Sequence, residues 1–266
     1  MERGTDWARL WSDLVRVQTP EREKDLWKEK SNRRRWAKPD SSRDFIITQL
    51  EAAPGSTLLD IGAGTGKWAI LLSQYVGRVT AIDPSPTMLQ AMRENLQSEG
   101  VTNVQVIEGA WPDVAVEPHD FSLCSHAMYG SADLPAFIRR VVQVTRRLCF
   151  LILRAPAMGG IMAEAAMRVW GHPYDSPNFQ VAYNVLLQMG IYPNVLMESG
   201  GLWAPWKNAS IEEALGEVKR RLGLGPSGEN DEFLTDLLRR RLILEDGQYV
   251  WPPSVRSALV YWDVRQ

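Results

Sequence analysis

LLDIGAGTGKWAILLSQ, Leu58 to Gln74, is the stretch whose reading decides the fold. A short apolar run carrying one acid, Asp60, ends in three glycines at alternate positions, Gly62, Gly64 and Gly66, and an apolar pattern at helical spacing follows. Glycine admits positive φ and lets another group approach the backbone closely. Such a turn between strand and helix makes a floor for a ligand, facing the helix N-terminus. A dinucleotide site of the G-x-G-x-x-G kind would need its third glycine at 67, where Lys67 stands.

Outward from this turn, short apolar runs alternate with helical ones. Five strands are predicted at 57–61, 78–82, 103–107, 120–125 and 148–153, with helical segments between them. Strands apolar throughout are buried on both faces, and the alternation predicts repeated βαβ units in a parallel sheet. Residues 160–170 and 178–190 read as helices and 194–199 as a sixth strand. Ser210 with Glu213 opens a capped helix to about Leu222, and another, carrying Phe233, Leu234, Leu237 and Leu238, runs to about Leu244. SALVYWDV, 257–264, reads as a last strand. Upstream, 1–50 reads as a helical extension before a domain spanning 51–266, with a mainly helical insertion at about 200–256.

The composition is that of an ordinary globular chain: 45% hydrophobic, 23% charged, formal net charge −2 over 266 residues. That balance gives no general pull toward nucleic acid or anionic membrane. The basic stretch KEKSNRRRWAKPDSSR reads as a solvated helix face and loop, interrupted by Pro39 and Asp40. No apolar run is long enough to span a bilayer, and the start of the chain is charged where a targeting segment needs apolar residues. Cys124 and Cys149 make neither a disulfide framework nor a zinc spacing, and no metal site is expected. A cytoplasmic protein is the expectation.

LLDIGAGTGKWAILLS, VTAIDPSPTML, NVQVIEGAWPDV and DFSLCSHAMYG together resemble the class I S-adenosylmethionine-dependent methyltransferases, over about residues 50–155. The resemblance implies a Rossmann-like α/β fold, a seven-stranded, mostly parallel sheet with helices on both faces. It also implies S-adenosylmethionine as cofactor and S-adenosylhomocysteine as product. The cofactor residues it implies are Asp60, Gly62, Ala63, Gly64, Thr65 and Gly66 in the first motif and Asp83, Pro84 and Met88 around the second, with Asp83 on the ribose hydroxyls. Gly109, Ala110 and Trp111 would flank the adenine, and Ser125 would follow the fourth strand. The family's acid at the position of Ala110 is missing here; Asp113, a backbone carbonyl or stacking on Trp111 would have to serve. The ligand chemistry agrees: it has a sulfonium, an amino acid and a ribose diol, and no phosphate that would call for an arginine.

Acceptors in this fold sit outside the carboxyl ends of the fourth and fifth strands. His126 is the candidate base there, with Tyr129 beside it, and Arg154 and Tyr174 are candidates to hold the substrate. Trp170 and Tyr183 read as core. SHAMY stands where the family's amino-methylating members carry a Pro-Pro motif, and the Pro-Cys pair of cytosine methylation is absent, which favours a small-molecule acceptor. Trp36, Trp203 and Trp206 suggest that the N-terminal helices and the insertion cover it as a lid. Methylation of RNA or protein through the basic 22–43 stretch, and a non-catalytic cofactor-binding scaffold, stay open as alternatives.

Overall fold

A computed structural model describes residues 5–17, 40–201, 205–226 and 228–265. Trp36, Trp203 and nearly all of the basic stretch lie outside them. The strands are β1 (Thr57–Ile61), β2 (Arg78–Asp83), β3 (Val104–Glu108), β4 (His119–Ser125), β5 (Thr145–Pro156) and β6 (Asn194–Met197), then β7 (Lys207–Asn208), β8 (Ile243–Glu245), β9 (Gln248–Val250) and β10 (Val255–Asp263). Seven of them form one sheet in the order β3-β2-β1-β4-β5-β10-β6. β3 through β5 pair in parallel, and β10 runs antiparallel to both β5 and β6. Strand order reverses beside β1, which has β2 on one side and β4 on the other, so a crevice opens above their carboxyl ends.

The α-helices are α1 (Trp7–Val17), α2 (Ser41–Glu51), α3 (Lys67–Leu72), α4 (Pro86–Ser98), α5 (Leu134–Gln143), α6 (Ile161–Trp170), α7 (Phe179–Gln188), α8 (Ile211–Arg221) and α9 (Asp231–Arg241). Alternation along the strands splits the core into two layers. Leu59, Ile61, Leu151, Leu153 and Val260 point to one face, where α1, α5 and α7 contribute Trp11, Phe137 and Val185. Leu58, Phe150, Ile152 and Leu259 point to the other, where α2, α3 and α4 bring Ile46, Leu72 and Leu89. Two predicted N-terminal helices are therefore part of the cores: Trp11 is fully buried, and its indole N–H donates to the Ser131 carbonyl at 2.8 Å.

A third apolar cluster joins α8 and α9 to α6 through Ala214, Val218, Leu237, Leu238 and Ala165. Two corrections arise here. The last helix of the insertion stops at Arg241 rather than near Leu244, and β8 and β9 follow as a hairpin that pairs with β7. The turn is Asp246–Gly247, both at positive φ (49° and 75°), which is the dipeptide and geometry of a two-residue hairpin. The fifth strand is also longer than predicted, because β10 pairs along it from Leu148 to Pro156. No helix among the described residues is long and apolar enough to cross a membrane.

Candidate active site

β1 ends in a turn in which Gly62, Gly64 and Gly66 all have positive φ (70°, 57° and 82°). The three differ in what surrounds them. A Cβ on Gly62 would lie 2.1 Å from the Cβ of Ala127, and one on Gly66 would lie 2.6 Å from Cγ of Met92, whereas a Cβ on Gly64 would meet nothing within 4 Å. Gly62 and Gly66 thus let the turn pack, and Gly64 leaves its upper side open. At the end of β2 the Asp83 carboxylate ties this turn to the next: Oδ2 accepts from the Gly64 N–H and Oδ1 from the Ser85 N–H, both at 2.9 Å. Ser85 then caps α4, its hydroxyl accepting from the Met88 N–H at 3.4 Å.

Asp60 lies beneath the turn, 1% exposed, and its Oδ2 has no hydrogen-bond partner among the described residues. Burial above all, and the Asp83 charge to a lesser extent, push it from 3.8 up to about 7, against the pull of the Ala69 backbone N–H. A buried acceptor without a donor, a second carboxylate beside it and an open glycine between them fit a cationic amino-acid group joined to a diol, as S-adenosylmethionine carries. The folded state holds a proton on Asp60 that the unfolded chain has released, so this residue's contribution to stability falls as pH rises from about 4 to about 7. Asp60→Asn is expected to raise the thermal midpoint of the ligand-free protein near neutral pH, flatten that pH dependence and weaken cofactor binding; unfolding scans across this range check all three.

The remaining predicted cofactor residues sit around this crevice with less to distinguish them. Ala63 and Met88 are half-buried, Thr65 is buried with its carbonyl bonded by Asn95, Pro84 is exposed, and Ser125 closes β4. Gly109 is packed against Val114, within 2.8 Å of where its Cβ would stand. Ala110 is exposed and its carbonyl accepts from the N–H groups of Asp113 and Val114. Trp111 turns toward α5, its indole N–H donating to the Phe137 carbonyl at 3.2 Å with Arg140 over its ring.

Lys67 does not simply face solvent. It is half-buried, and its charge reaches both Asp40 and His126.

On the acceptor side, β4 and β5 bring together three residues singled out in the sequence. His126 takes a left-handed backbone (φ 56°), and its Nδ1 lies 3.0 Å from the Tyr129 hydroxyl. That hydroxyl accepts the Arg154 backbone N–H at 2.6 Å. The Arg154 guanidinium stands 4.7 Å over the Tyr129 ring, is 8% exposed, donates from Nε to the Pro177 carbonyl and has no partner at Nη2 among the described residues. Burial, then the charges of Arg154 and Lys67, push His126 down to about 4, so it is neutral at neutral pH. Tyr174 joins from the side, packed edge-on against Trp7 at 5.7 Å and close to His172 at 5.8 Å. Trp11 lies 6.5 Å from Tyr129. Trp170 is half-buried and packs against two apolar clusters, whereas Tyr183 is half-buried beside Phe179, one turn away on α7, with ring centroids 5.6 Å apart.

Next to Arg154 lies a cleft of about 600 Å³, lined among others by Pro156, Asp175, Trp206, Arg221, Trp251 and Pro253. Arg221 stacks 4.0 Å over Trp206 and pairs with Asp175 at 3.5 Å and Glu217 at 3.2 Å. Of these only Trp206 stood out in the sequence; the Pro-Pro pair at 252–253 after Trp251 was the available signal. Among the described residues no group of three His, Cys, Asp or Glu side chains is placed to hold a metal ion.

Residues 58–147 match the family described as "Methyltransferase domain". This part of the chain is thus similar to a methyltransferase domain, and it sits in a Rossmann-like α/β fold. Within it and just beyond, the chain is 30% identical over 129 residues to a probable cobalt-precorrin-6B C(15)-methyltransferase (decarboxylating) of Sulfolobus acidocaldarius, covering 47% of this chain and 64% of that protein. This chain spans less than two thirds of the length of the curated relatives it matches first. The likeness in fold extends further than the sequence match. The YcgJ protein of Bacillus subtilis superposes with a TM-score of 0.56 at 16% identity, over 84% of this chain and 97% of that one. Magnesium protoporphyrin IX methyltransferase of Synechocystis PCC 6803, with bound SAH, gives 0.52 at 15% identity over 73% and 95%.

Proposed function

We propose that the protein transfers a methyl group from S-adenosylmethionine to a small-molecule acceptor by in-line displacement. The observation that carries this reading is the open Gly64 turn clasped by Asp83 above the orphaned Asp60 oxygen. The matched domain and a relative named for methylation of a cobalt-precorrin support it. When bound, the cofactor supplies an activated methyl group, and the protein supplies proximity and orientation. Asp83 holds the ribose hydroxyls on the lone pairs its two backbone bonds leave. Asp60, Gly62, Ala63, Gly64, Thr65 and Gly66 form the floor for the amino-acid end. Met88, Gly109, Ala110 and Trp111 bound the adenine side.

The acceptor lies between β4 and β5, against Tyr129, Arg154 and Tyr174, with its body directed toward the Trp206 and Trp251 cleft. α1 and the insertion cover it and exclude water, α1 through Trp7 and Trp11 and the insertion through Trp206. A reducing cytoplasm suits two buried free thiols, of which Cys149 is pushed up to about 12 by burial and stays protonated.

Thermal unfolding with S-adenosylmethionine, S-adenosylhomocysteine and NAD in parallel tests the reading. A ligand at about 100 times its Kd stabilises by about 2.7 kcal/mol, a midpoint shift of roughly 5–10 °C for a chain of this size. A shift with both adenosyl sulfur compounds and none with NAD is expected. No shift with either sulfur compound overturns the proposal.

A further inference from the structure

The protonation of two histidines is set by their neighbours in opposite senses. His119 Nδ1 lies 2.7 Å from the Glu117 carbonyl, which only accepts, so Nδ1 carries the proton and Nε2 accepts from the Thr80 hydroxyl at 2.8 Å. At His126 the neighbour is the Tyr129 hydroxyl, which has one proton to give and already accepts the Arg154 backbone N–H. At 3.0 Å that hydroxyl is placed to give its proton to His126 Nδ1. The imidazole is then neutral with its proton on Nε2, which makes it a donor on its outer side and leaves no free ring nitrogen there to take a proton.

The surroundings have the same character. Among the described residues, the charges that act on His126 are those of Arg154 and Lys67. Arg154 offers a buried Nη2 without a partner among the described residues, and a buried guanidinium N–H left unmatched is costly unless an anion meets it. The charged neighbours described for His126 are thus cationic donors.

We propose that the methyl acceptor enters as a preformed oxyanion, a carboxylate, held by Arg154 Nη2 and by the Nε2–H of His126, and that His126 donates a hydrogen bond rather than removing a proton. This rests on the methyltransferase reading above. A carboxylate oxygen forms the bond to the methyl carbon, the carbon–sulfur bond breaks with its electron pair left on sulfur, and a neutral ester and S-adenosylhomocysteine result. No proton is released, so the missing base is no defect. The Tyr129 hydroxyl fixes the tautomer, and the left-handed backbone at His126 aims the ring.

Long-range proton–nitrogen NMR of the full chain, labelled on its three histidine rings, reads the tautomer directly. His126→Gln assigns the signal and His119 serves as the internal reference of opposite tautomer. With S-adenosylhomocysteine present, a protonated Nε2 and a bare Nδ1 are expected at His126, and Tyr129→Phe should abolish that preference; a protonated Nδ1 overturns the inference. In the same sample benzoate is expected to move the Nε2 signal and raise the unfolding midpoint, and benzamide, of the same shape and without charge, to do neither. Arg154→Met should weaken benzoate by about 30-fold, and Arg154→Lys, which keeps the charge, by less. Equal responses to benzoate and benzamide, or benzoate binding unchanged in both Arg154 variants, also overturn it. Failure of S-adenosylhomocysteine to bind is the separate failure of the methyltransferase reading.

Discussion

Gly62→Ala is expected to destabilise the protein by about 2–5 kcal/mol, the sum of a left-handed backbone forced on an L-residue and an overpacked contact. Its φ is 70°, and the new methyl group would overlap the Ala127 Cβ at 2.1 Å. Neither atom is the far end of a flexible side chain, so relief requires the exit of β4 to move. At about 2–4 °C per kcal/mol for a chain near this size, the midpoint should fall by roughly 4–20 °C. Gly64→Ala separates stability from binding. Its φ is 57° and its Cβ would meet nothing, so only the backbone cost of about 1–2 kcal/mol applies. The new methyl group would instead stand where the cofactor must approach. Thermal scans should show Gly62→Ala as the greater loss of stability, and S-adenosylhomocysteine titration should show Gly64→Ala as the greater loss of affinity relative to its stability. Equal stabilities for the two would contradict the packing assigned to Gly62.

Asp83→Ala should be the most damaging change to cofactor binding, by about 100-fold or more. Its carboxylate is buried and accepts two backbone N–H groups, and hydrogen bonds to a charged acceptor contribute about 1.5–3 kcal/mol each. The alanine variant leaves the Gly64 and Ser85 donors unmatched and removes the group assigned to the ribose. Asp83→Asn keeps one carbonyl oxygen and should fall between. Calorimetric titration with S-adenosylhomocysteine at a temperature where all variants are folded measures the series. An alanine variant with unchanged affinity refutes the ribose assignment.

What could be read beforehand was what is local in the chain. The Gly62–Gly66 turn, the acid ending β2 and the strands that are apolar on both faces each carry their pattern within a dozen residues, and six of the seven main strands lie within about two residues of where they were expected. β5 was underestimated because Thr145, Arg146 and Arg147 look like loop, and only pairing with β4 and the length of β10 extend the strand over both ends. β7, β8 and β9 have two or three residues each, too few for a periodicity, although Asp246–Gly247 announced their hairpin. Candidate acceptor residues were found singly; their arrangement was not. The His126–Tyr129–Arg154 chain joins two strand ends, Trp7 reaches Tyr174 from the far end of the sequence, and Arg221 meets Asp175 across the insertion. Nothing near Lys67 in sequence shows that its charge reaches His126 and Asp40.

The antiparallel strand that enters the sheet last in sequence is not at its edge. β10 lies between β5 and β6, and β6 pairs with no other strand among the described residues. During synthesis the five parallel strands from β3 to β5 can associate once residue 156 has left the ribosome, but β6 must then wait while some sixty further residues are added. In that interval β5 presents a bare edge, and long-range pairing of this kind is the slow, exposed step of assembly. The helical insertion, which closes on α6 by its own apolar cluster, is made during the same interval and can hold the segment leading to β10 close to its place. The region proposed to cover the acceptor thus also leads β10 to its place between β5 and β6.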